Sequence, residues 1–470
     1  MTEAGRVHFV GIGGSGMSAI AVALLQTGVS VSGSDLKDSR NTHQLADLGA
    51  VIHIGHRAEN VEGAALVVVS TAVPGRNPEV RKAAELGIEI ISRGMMLARL
   101  MGRKRGIAIA GTHGKTTTTS MVAMILKAAE LDPTYLVGAE LNDVGSNAES
   151  GSGEFLVAEA DESDGSFLLL RPEMAIVTNV EPDHMDFYED FGQIEDSFAR
   201  FLGGIQSGGV AVINGDDGVL PALGSRLAAK VVSYGGGSDN TYQWGERRLL
   251  KGGSEYEVLE EGASLGWVRL QVPGEHNIAN SLGALALARQ MGIAFEVIAG
   301  ALEGFRGVRR RFQHVGTEGG VTLIDDYAHH PTEVAATLKT ARAESEGRLV
   351  CMFQPHRYSR TSHFSGSFGA AFKDADYLIL TDVFAAGELP LPGVSGKLLV
   401  DSVLEEEPGK SVVYLPKRAE VGTLASRLLR PGDMVLVMGA GDISQCATEI
   451  RDLLRTTANR GEGAKERGAP

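Results

Sequence analysis

At 470 residues, with 43% hydrophobic and 22% charged side chains, the chain is long enough for about three domains of roughly 100 to 200 residues, each with its own apolar core. Its 44 basic against 59 acidic residues leave a formal charge of −15, which argues against broad nucleic-acid or anionic-membrane binding while leaving room for anionic small molecules at locally basic sites. No apolar run approaches the roughly 20 residues of a membrane span, residues 1–5 lack a basic-then-apolar leader, and Cys351 and Cys446 stand outside any metal or redox spacing, so a cytoplasmic protein with reduced thiols is expected.

The first hundred residues alternate strand signals at 7–11, 29–33, 66–70 and 89–92 with helix signals at 17–25, 44–48 and 78–86. Such alternation predicts a parallel, doubly wound sheet. After the first strand comes Gly11-Ile12-Gly13-Gly14-Ser15-Gly16, and Asp35 ends the next strand, the spacing of a turn whose glycines let the backbone approach a pyrophosphate at a helix start. That turn accepts a dinucleotide or the pyrophosphate of a nucleotide sugar, and it also serves as a plain tight turn for helix–sheet packing.

Residues 101–106 form a polar, glycine-flanked joint, and a second α/β domain is expected from residue 103. Its first strand, Ile107-Ala108-Ile109-Ala110, runs into Gly111-Thr112-His113-Gly114-Lys115-Thr116-Thr117 and then a helix-compatible run. Backbone N–H groups, the Lys115 ammonium and the Thr116 hydroxyl suit a triphosphate and its Mg²⁺, although the general pattern asks for glycine where Ile109 stands. Two phosphate loops in one chain favour a protein that uses ATP on a second phosphate-bearing substrate.

Strand 154–159 ends in Glu159, with Asp161, Glu162 and Asp164 just beyond, and strand 174–180 delivers Glu181, Asp183, His184 and Asp186 to the same sheet edge. Glu159 is the first candidate for Mg²⁺ and His184 for a second ion, whereas Asp161, Glu162 and Asp164 read singly as solvated strand ends. Residues 231–272 look like a turn-rich antiparallel insert. A helix over 277–290 then places Asn277 and Asn280 on one face, where amides suit an adenine edge as well as a helix cap.

A second joint at 304–308 precedes Arg309-Arg310-Arg311, and the alternation restarts with strands at 321–325, 349–353, 377–381, 411–415 and 434–438. Asp325-Asp326-Tyr327-Ala328-His329-His330-Pro331 and Gln354-Pro355-His356-Arg357-Tyr358-Ser359-Arg360-Thr361 each follow a strand, where loops at strand C-termini meet ligands. The expected boundaries are 1–102, 103–305 and 306–456, with 457–470, rich in Arg, Gly, Glu and Ala, as a disordered tail.

In this order the motifs resemble the Mur ligase family over nearly the whole chain, as far as Gly439-Ala440-Gly441-Asp442-Ile443. Gly-Thr-His-Gly-Lys-Thr-Thr is the family's short phosphate loop, which accounts for Ile109. Thr178-Asn179-Val180-Glu181-Pro182-Asp183-His184, the two strand-end motifs of the third region and Ala386-Gly387-Glu388 look like the family's L-alanine-adding form. The resemblance implies an α/β protein with an N-terminal Rossmann-like domain for a UDP-sugar, a central P-loop ATPase-type domain with a parallel or mixed sheet, and a C-terminal Rossmann-like domain that closes over the site. It implies ATP- and Mg²⁺-dependent amide formation between UDP-N-acetylmuramate and L-alanine through an acyl phosphate, by a monomer or weak dimer with no nucleic-acid or membrane partner.

By position, the resemblance puts Gly13, Ser15, Gly16, Asp35, Ser70 and Thr71 at the UDP-sugar, and Gly111, Thr112, His113, Gly114, Lys115, Thr116 and Thr117 at the phosphates of ATP. Thr116, Glu159 and His184 would hold metal, Asn277 and Asn280 would lie by adenine, and Arg311 and Asp326 would reach the nucleotide from the third domain. His329, His356 and Arg357 would recognise L-alanine. A carbamylated lysine found in some relatives is not carried over, because Ser197-Phe198-Ala199-Arg200 offers arginine. The rival readings are a ligase adding a tripeptide to the same sugar, a dinucleotide-dependent oxidoreductase, which leaves Lys115, Glu159 and His184 unused, and a non-catalytic nucleotide-regulated binding protein.

Overall fold

Short apolar strands alternating with helices build three sheets in the computed structural model, which describes residues 5–70, 72–140, 142 and 146–466. The first sheet comprises β1 (Arg6–Val10), β2 (Val31–Asp35), β3 (Val51–Ile54), β4 (Ala64–Val69) and β5 (Glu89–Ser92), all parallel in the order β3-β2-β1-β4-β5. The winding reverses at β1, so the glycine turn after β1 and Ser70 after β4 flank the crevice where a ligand enters such a sheet. Strand β3 has no counterpart in the sequence pattern. It lies on the sheet edge with no fully buried residue, so no apolar stripe marks it.

The central sheet holds β6 (Arg105–Ala110), β7 (Thr134–Leu136), β8 (Ala148–Glu149), β9 (Phe155–Glu159), β10 (Met174–Val177), β11 (Val210–Asn214), β12 (Lys230–Gly235), β13 (Tyr242–Leu250), β14 (Gly253–Glu260) and β15 (Ala263–Leu270). Its order is β15-β14-β13-β12-β11-β10-β6-β9-β7-β8. The expected antiparallel insert is therefore no separate body: β12 pairs parallel with β11, and β13 to β15 extend the same sheet as antiparallel hairpins. The third sheet, β16 (Gln313–Glu318), β17 (Val321–Asp326), β18 (Leu349–Phe353), β19 (Tyr377–Leu380), β20 (Val412–Tyr414) and β21 (Met434–Met438), runs β16-β17-β21-β18-β19-β20 with only β16 antiparallel. Cys351 and Cys446 are buried free thiols. The last helix spans Gln445–Glu466, so the stretch expected to be irregular from 457 is helical to 466, in keeping with the high helix propensity of its Ala, Arg, Glu and Lys.

The apolar cores divide the molecule unequally. Phe9, Ile20, Met96 and Met101 of the first domain pack in one continuous cluster with Leu136, Ala148, Phe167 and Leu170 of the central domain. The third domain buries its own two clusters, around Phe353 and Phe372 on one sheet face and Val435 and Ile450 on the other.

One buried charge stands inside the first domain. Glu79, on the helix Pro78–Glu85, is fully buried and takes hydrogen bonds from Ser34 at 2.6 Å, Asn60 at 2.5 Å and His56 at 3.0 Å, with His8 Nε2 at 3.7 Å. Burial alone would raise its carboxyl, but the partners, His8, Ser34 and Asn60 foremost, lower it to about 2. Glu79→Ala would leave those groups buried without a partner, so a loss of about 3 kcal/mol is expected. It should appear as a lower urea midpoint for the first cooperative transition, and an unchanged midpoint would count against the cluster's structural role.

Candidate active site

The phosphate loop follows β6, whose residues 106–110 are buried. Gly111 and Gly114 have φ of 130° and 82°, a region that side chains disfavour. A Cβ on Gly111 would lie 2.0 Å from Thr178 Oγ1, and one on Gly114 2.4 Å from Asn280 Oδ1. The loop is pinned by the chain after β10: Thr178 Oγ1 donates to His113 O at 2.5 Å, His113 N donates to Asn179 Oδ1 at 2.8 Å, and Glu181 N donates to Thr112 Oγ1 at 2.9 Å. Lys115 opens the following helix, Lys115–Ala128, and folds over the loop, donating to Gly111 O at 2.6 Å and to both carboxylate oxygens of Glu162 at 2.8 Å. Glu162 is only 2% exposed, which corrects its reading as a solvated strand end. Burial pushes its carboxyl up, to about 7, against the pull of Lys115.

A cavity of about 600 Å³ opens beside the loop and is lined from all three domains, by Ser15, Gly16 and Arg93, by Lys115, Thr116, Glu159 and His184, and by Arg311, His329 and Glu333. Arg93 pairs with Asp161 at 2.9 Å and lies 3.6 Å from Asp164, so these acids too are engaged across the domain boundary rather than simply solvated. Gly13, Asp35 and Ser70 stand near the first turn but do not line the cavity. Asp35 is turned onto its own loop and accepts from Gly13 N at 2.9 Å and Lys37 N at 3.2 Å, so it shapes the turn instead of facing the cavity. Thr71 lies outside the described residues.

The donors around Thr116 suit a hard divalent cation. Glu159 faces the cavity, accepts from Gly138 N at 2.5 Å and forms no ion pair among the described residues. Burial raises its carboxyl despite Lys115 and the Thr116 hydroxyl, so an added positive charge there would be stabilised. His184, held at φ 54°, sits with Nε2 3.7 Å from Glu162 and 3.6 Å from Asp183. Burial lowers its pKa despite Asp183, which keeps a neutral ring with a lone pair to offer.

A smaller cavity of about 180 Å³ on the far side of the loop brings Asn277 and Asn280 together with Thr117, Tyr234, Phe312 and Asp326. Its lining of rings and amides suits a nucleobase. The helix that carries both asparagines spans Glu275–Gln290 and starts from Gly274, so Asn277 is not the cap. Asp326 lines this cavity from the third domain, and its two oxygens accept from Phe312 N and Ala328 N, both at 2.7 Å. It thereby holds the turn around Arg311, whose neighbours Arg310 and Phe312 both have left-handed φ, 59° and 46°, a strained conformation that persists where the surroundings fix it.

The third domain meets the central one along a polar seam. Arg360 caps Asp183 with three contacts of 2.9 to 3.1 Å, and both are almost fully buried. Arg357, at φ 68°, pairs with Asp186 and lies 3.9 Å from Glu388. Thr332 donates to Glu181 at 2.6 Å, and His330 Nε2 to Pro182 O at 3.1 Å. Glu333 gathers His113 Nδ1 and His329 Nδ1, each at 3.2 Å, with Arg311 at 3.5 Å. Burial would lower His113, but the carboxylates of Glu333 and Glu181 beside it raise it to about 9. Burial brings His329 down to about 3 and His356 to about 4, so both rings are neutral, with their centroids 5.9 Å apart.

Sequence reasoning thus places Lys115, Thr116, Glu159, His184, Arg311 and His329 on one cavity, and leaves His356 and Arg357 at its outer, third-domain side. It names Asp183 and Arg360 at strand ends without pairing them, and misses Arg93 and Glu333. Arg360 stands one helical turn after His356, and Glu333 three residues after the cap His330, so their offsets were the available signals. Nothing local marks Arg93.

Comparison with known proteins agrees with this architecture. Three family profiles match in succession: the Mur ligase family catalytic domain over residues 6–105, the Mur ligase middle domain over 109–288, and the Mur ligase glutamate ligase domain over 310–441. The chain belongs to the Mur ligase family. Among its relatives, the UDP-N-acetylmuramate–L-alanine ligase of Desulforamulus reducens is 48% identical over 95% of this chain and 97% of its own, and that of Pelotomaculum thermopropionicum 47% identical over 96% and 98%. The crystal structure of UDP-N-acetylmuramate–alanine ligase from Thermotoga maritima superposes with a TM-score of 0.83 at 31% identity, covering 96% of this chain and all of that one. A murein peptide ligase from Psychrobacter arcticus, 23% identical with a TM-score of 0.73, shares the fold.

Proposed function

We propose that this chain joins UDP-N-acetylmuramate to L-alanine, the two substrates that the names of its full-length relatives give for them, with ATP cleaved to ADP and phosphate. The observation that carries the reading is that the phosphate loop, the pyrophosphate-type turn of the first domain and Arg311 of the third all open into one cavity. A carboxylate is a poor electrophile, so its oxygen first takes the γ-phosphoryl group of ATP, giving an acyl phosphate and ADP. The amine of L-alanine then attacks the acyl carbon, phosphate leaves with the C–O bonding pair, and the nitrogen gives up a proton.

Lys115 and Arg311 would bracket the transferring phosphoryl group and neutralise charge that grows in transfer. Mg²⁺, held by Thr116, Glu159 and His184, would supply further charge neutralisation at the β- and γ-phosphates. Lys115 would exchange Glu162 for phosphate oxygens, leaving Glu162 to take up a proton or pair with a cation. Asn277 and Asn280 would edge the adenine, with Asp326 aiming Arg311 from behind. The neutral rings of His329 and His356 lie on the third-domain side, where they would recognise L-alanine; lowered to about 3 and about 4, they are too weakly basic to take the proton shed by the attacking amine. The seam covers this arrangement, which keeps water from the acyl phosphate.

Arg357 is assigned to the carboxylate of L-alanine, exchanging Asp186 for it. Arg357→Ala should raise KM for L-alanine about ten- to a hundredfold, the worth of a charge-assisted bidentate contact, with KM for ATP little changed. Equal dependence on L-alanine in the two proteins would remove Arg357 from that role. The function itself is tested by incubating the chain with ATP, Mg²⁺ and UDP-N-acetylmuramate, with and without L-alanine, and following phosphate release and product mass. Release that requires both substrates and yields UDP-N-acetylmuramoyl-L-alanine is expected. Turnover with a tripeptide but not with L-alanine would favour the peptide-adding reading instead.

A further inference from the structure

Where the third domain touches the phosphate loop, three side chains from three separate segments aim their inner atoms at one point. Glu181 Oε2 lies 3.6 Å from His113 Nε2 and 4.0 Å from His330 Nδ1, and all three atoms fall within 4.8 Å of one another. Ligand atoms around a tetrahedral zinc-class ion, with bonds of about 2.0 to 2.2 Å, stand roughly 3.4 Å apart, so modest side-chain movements bring this trio to bonding geometry. His113 Nε2 is buried and, among the described residues, has no hydrogen-bond partner; an ion bound there would displace the proton that the neighbouring carboxylates favour on this ring.

The outer atoms are already fixed in the manner of metal-binding histidines, which give their second ring N–H to a carboxylate or a backbone carbonyl. His113 Nδ1 faces Glu333 at 3.2 Å, and His330 Nε2 donates to Pro182 O at 3.1 Å. On Glu181 it is the inner oxygen itself, Oε2, that accepts from the Thr332 hydroxyl at 2.6 Å, a bond that leaves its second lone pair for an ion. The inner nitrogen of His330 accepts from Thr332 N at 3.3 Å, a long contact that an ion would replace.

We propose that His113, Glu181 and His330 form a binding site for a zinc-class divalent ion that staples the third domain to the phosphate loop. Two imidazoles and one carboxylate favour Zn²⁺ or Co²⁺ over Mg²⁺, which takes oxygen ligands. The site is separate from the Thr116–Glu159–His184 set. Because His330 belongs to the third domain and the other two ligands to the central one, the site is complete only in the closed form, and an ion bound there opposes the reopening that product release requires.

The test uses the full chain with Mg²⁺ saturating, titrated with Co²⁺ and followed by visible absorption, and with Zn²⁺ by calorimetry. One equivalent is expected, with the intense d–d bands of four-coordinate Co²⁺. His330→Gln and Glu181→Gln should each weaken binding by at least about tenfold, while Glu159→Gln leaves the bands in place. UDP-sugar binding by each variant reports that it is folded. Absence of the bands, their persistence in both His330→Gln and Glu181→Gln, or their loss in Glu159→Gln alone would overturn the assignment.

Discussion

Lys115→Ala should lower kcat by about a thousandfold or more while UDP-sugar affinity, measured by calorimetry, stays within about twofold of the parent. The first figure follows from removing a fixed positive charge at a transferring phosphoryl group, where a single well-placed donor is worth about a hundred- to a thousandfold and a guanidinium or ammonium somewhat more. The second follows from position, since Lys115 Nζ is bound to Gly111 O and Glu162 on the central domain and the sugar turn lies on the first. The variant leaves Glu162 buried without its cation. Burial already raises that carboxyl to about 7, so Glu162 would take a proton and remain neutral. Lys115→Ala combined with Glu162→Gln should therefore be as stable as the parent and still inactive. Loss of sugar binding, or a kcat within tenfold of the parent, would refute the assignment.

The second large effect is expected from Arg360→Ala. Asp183 and Arg360 are 5% and 7% exposed, and removing one partner of a buried pair costs about 3 to 5 kcal/mol because the remaining charge is left uncompensated. The pair exists only while the third domain is docked, so the cost falls on the closed form. The expected readouts are a larger radius of gyration in small-angle scattering and a kcat/KM at least about a hundredfold lower. Adding Asp183→Asn, which removes the stranded charge, should restore most of the compactness. Unchanged scattering and turnover would show that the pair does not govern docking.

Much of this was legible in the sequence, for definite reasons. Apolar strands followed by glycine turns announce themselves locally, and residues at strand carboxyl ends share one edge of a parallel sheet, which is why Lys115, Glu159 and His184 were placed together. Contacts between domains leave no such trace. Arg93 with Asp161, Arg360 with Asp183 and Glu333 with His113 join residues 68, 177 and 220 positions apart, and no spacing rule reaches that far. Asp35 and Asp326 were found by position, and their carboxylates also serve backbone N–H groups of neighbouring turns. The edge strand β3 escaped because it carries no buried stripe to give it a period.

The apolar cluster shared by the first two domains has a bearing on how the molecule can be taken apart. Excising the first domain would lay bare Leu136, Ala148, Phe167 and Leu170 on the central one, an adhesive face that drives a truncated chain to aggregate. The third domain keeps both of its clusters to itself and is the separable part. A chimera that exchanges it at the joint after Phe305 alters the acceptor end of the site without disturbing the spacing of the two nucleotide turns, which the common core holds as one rigid body.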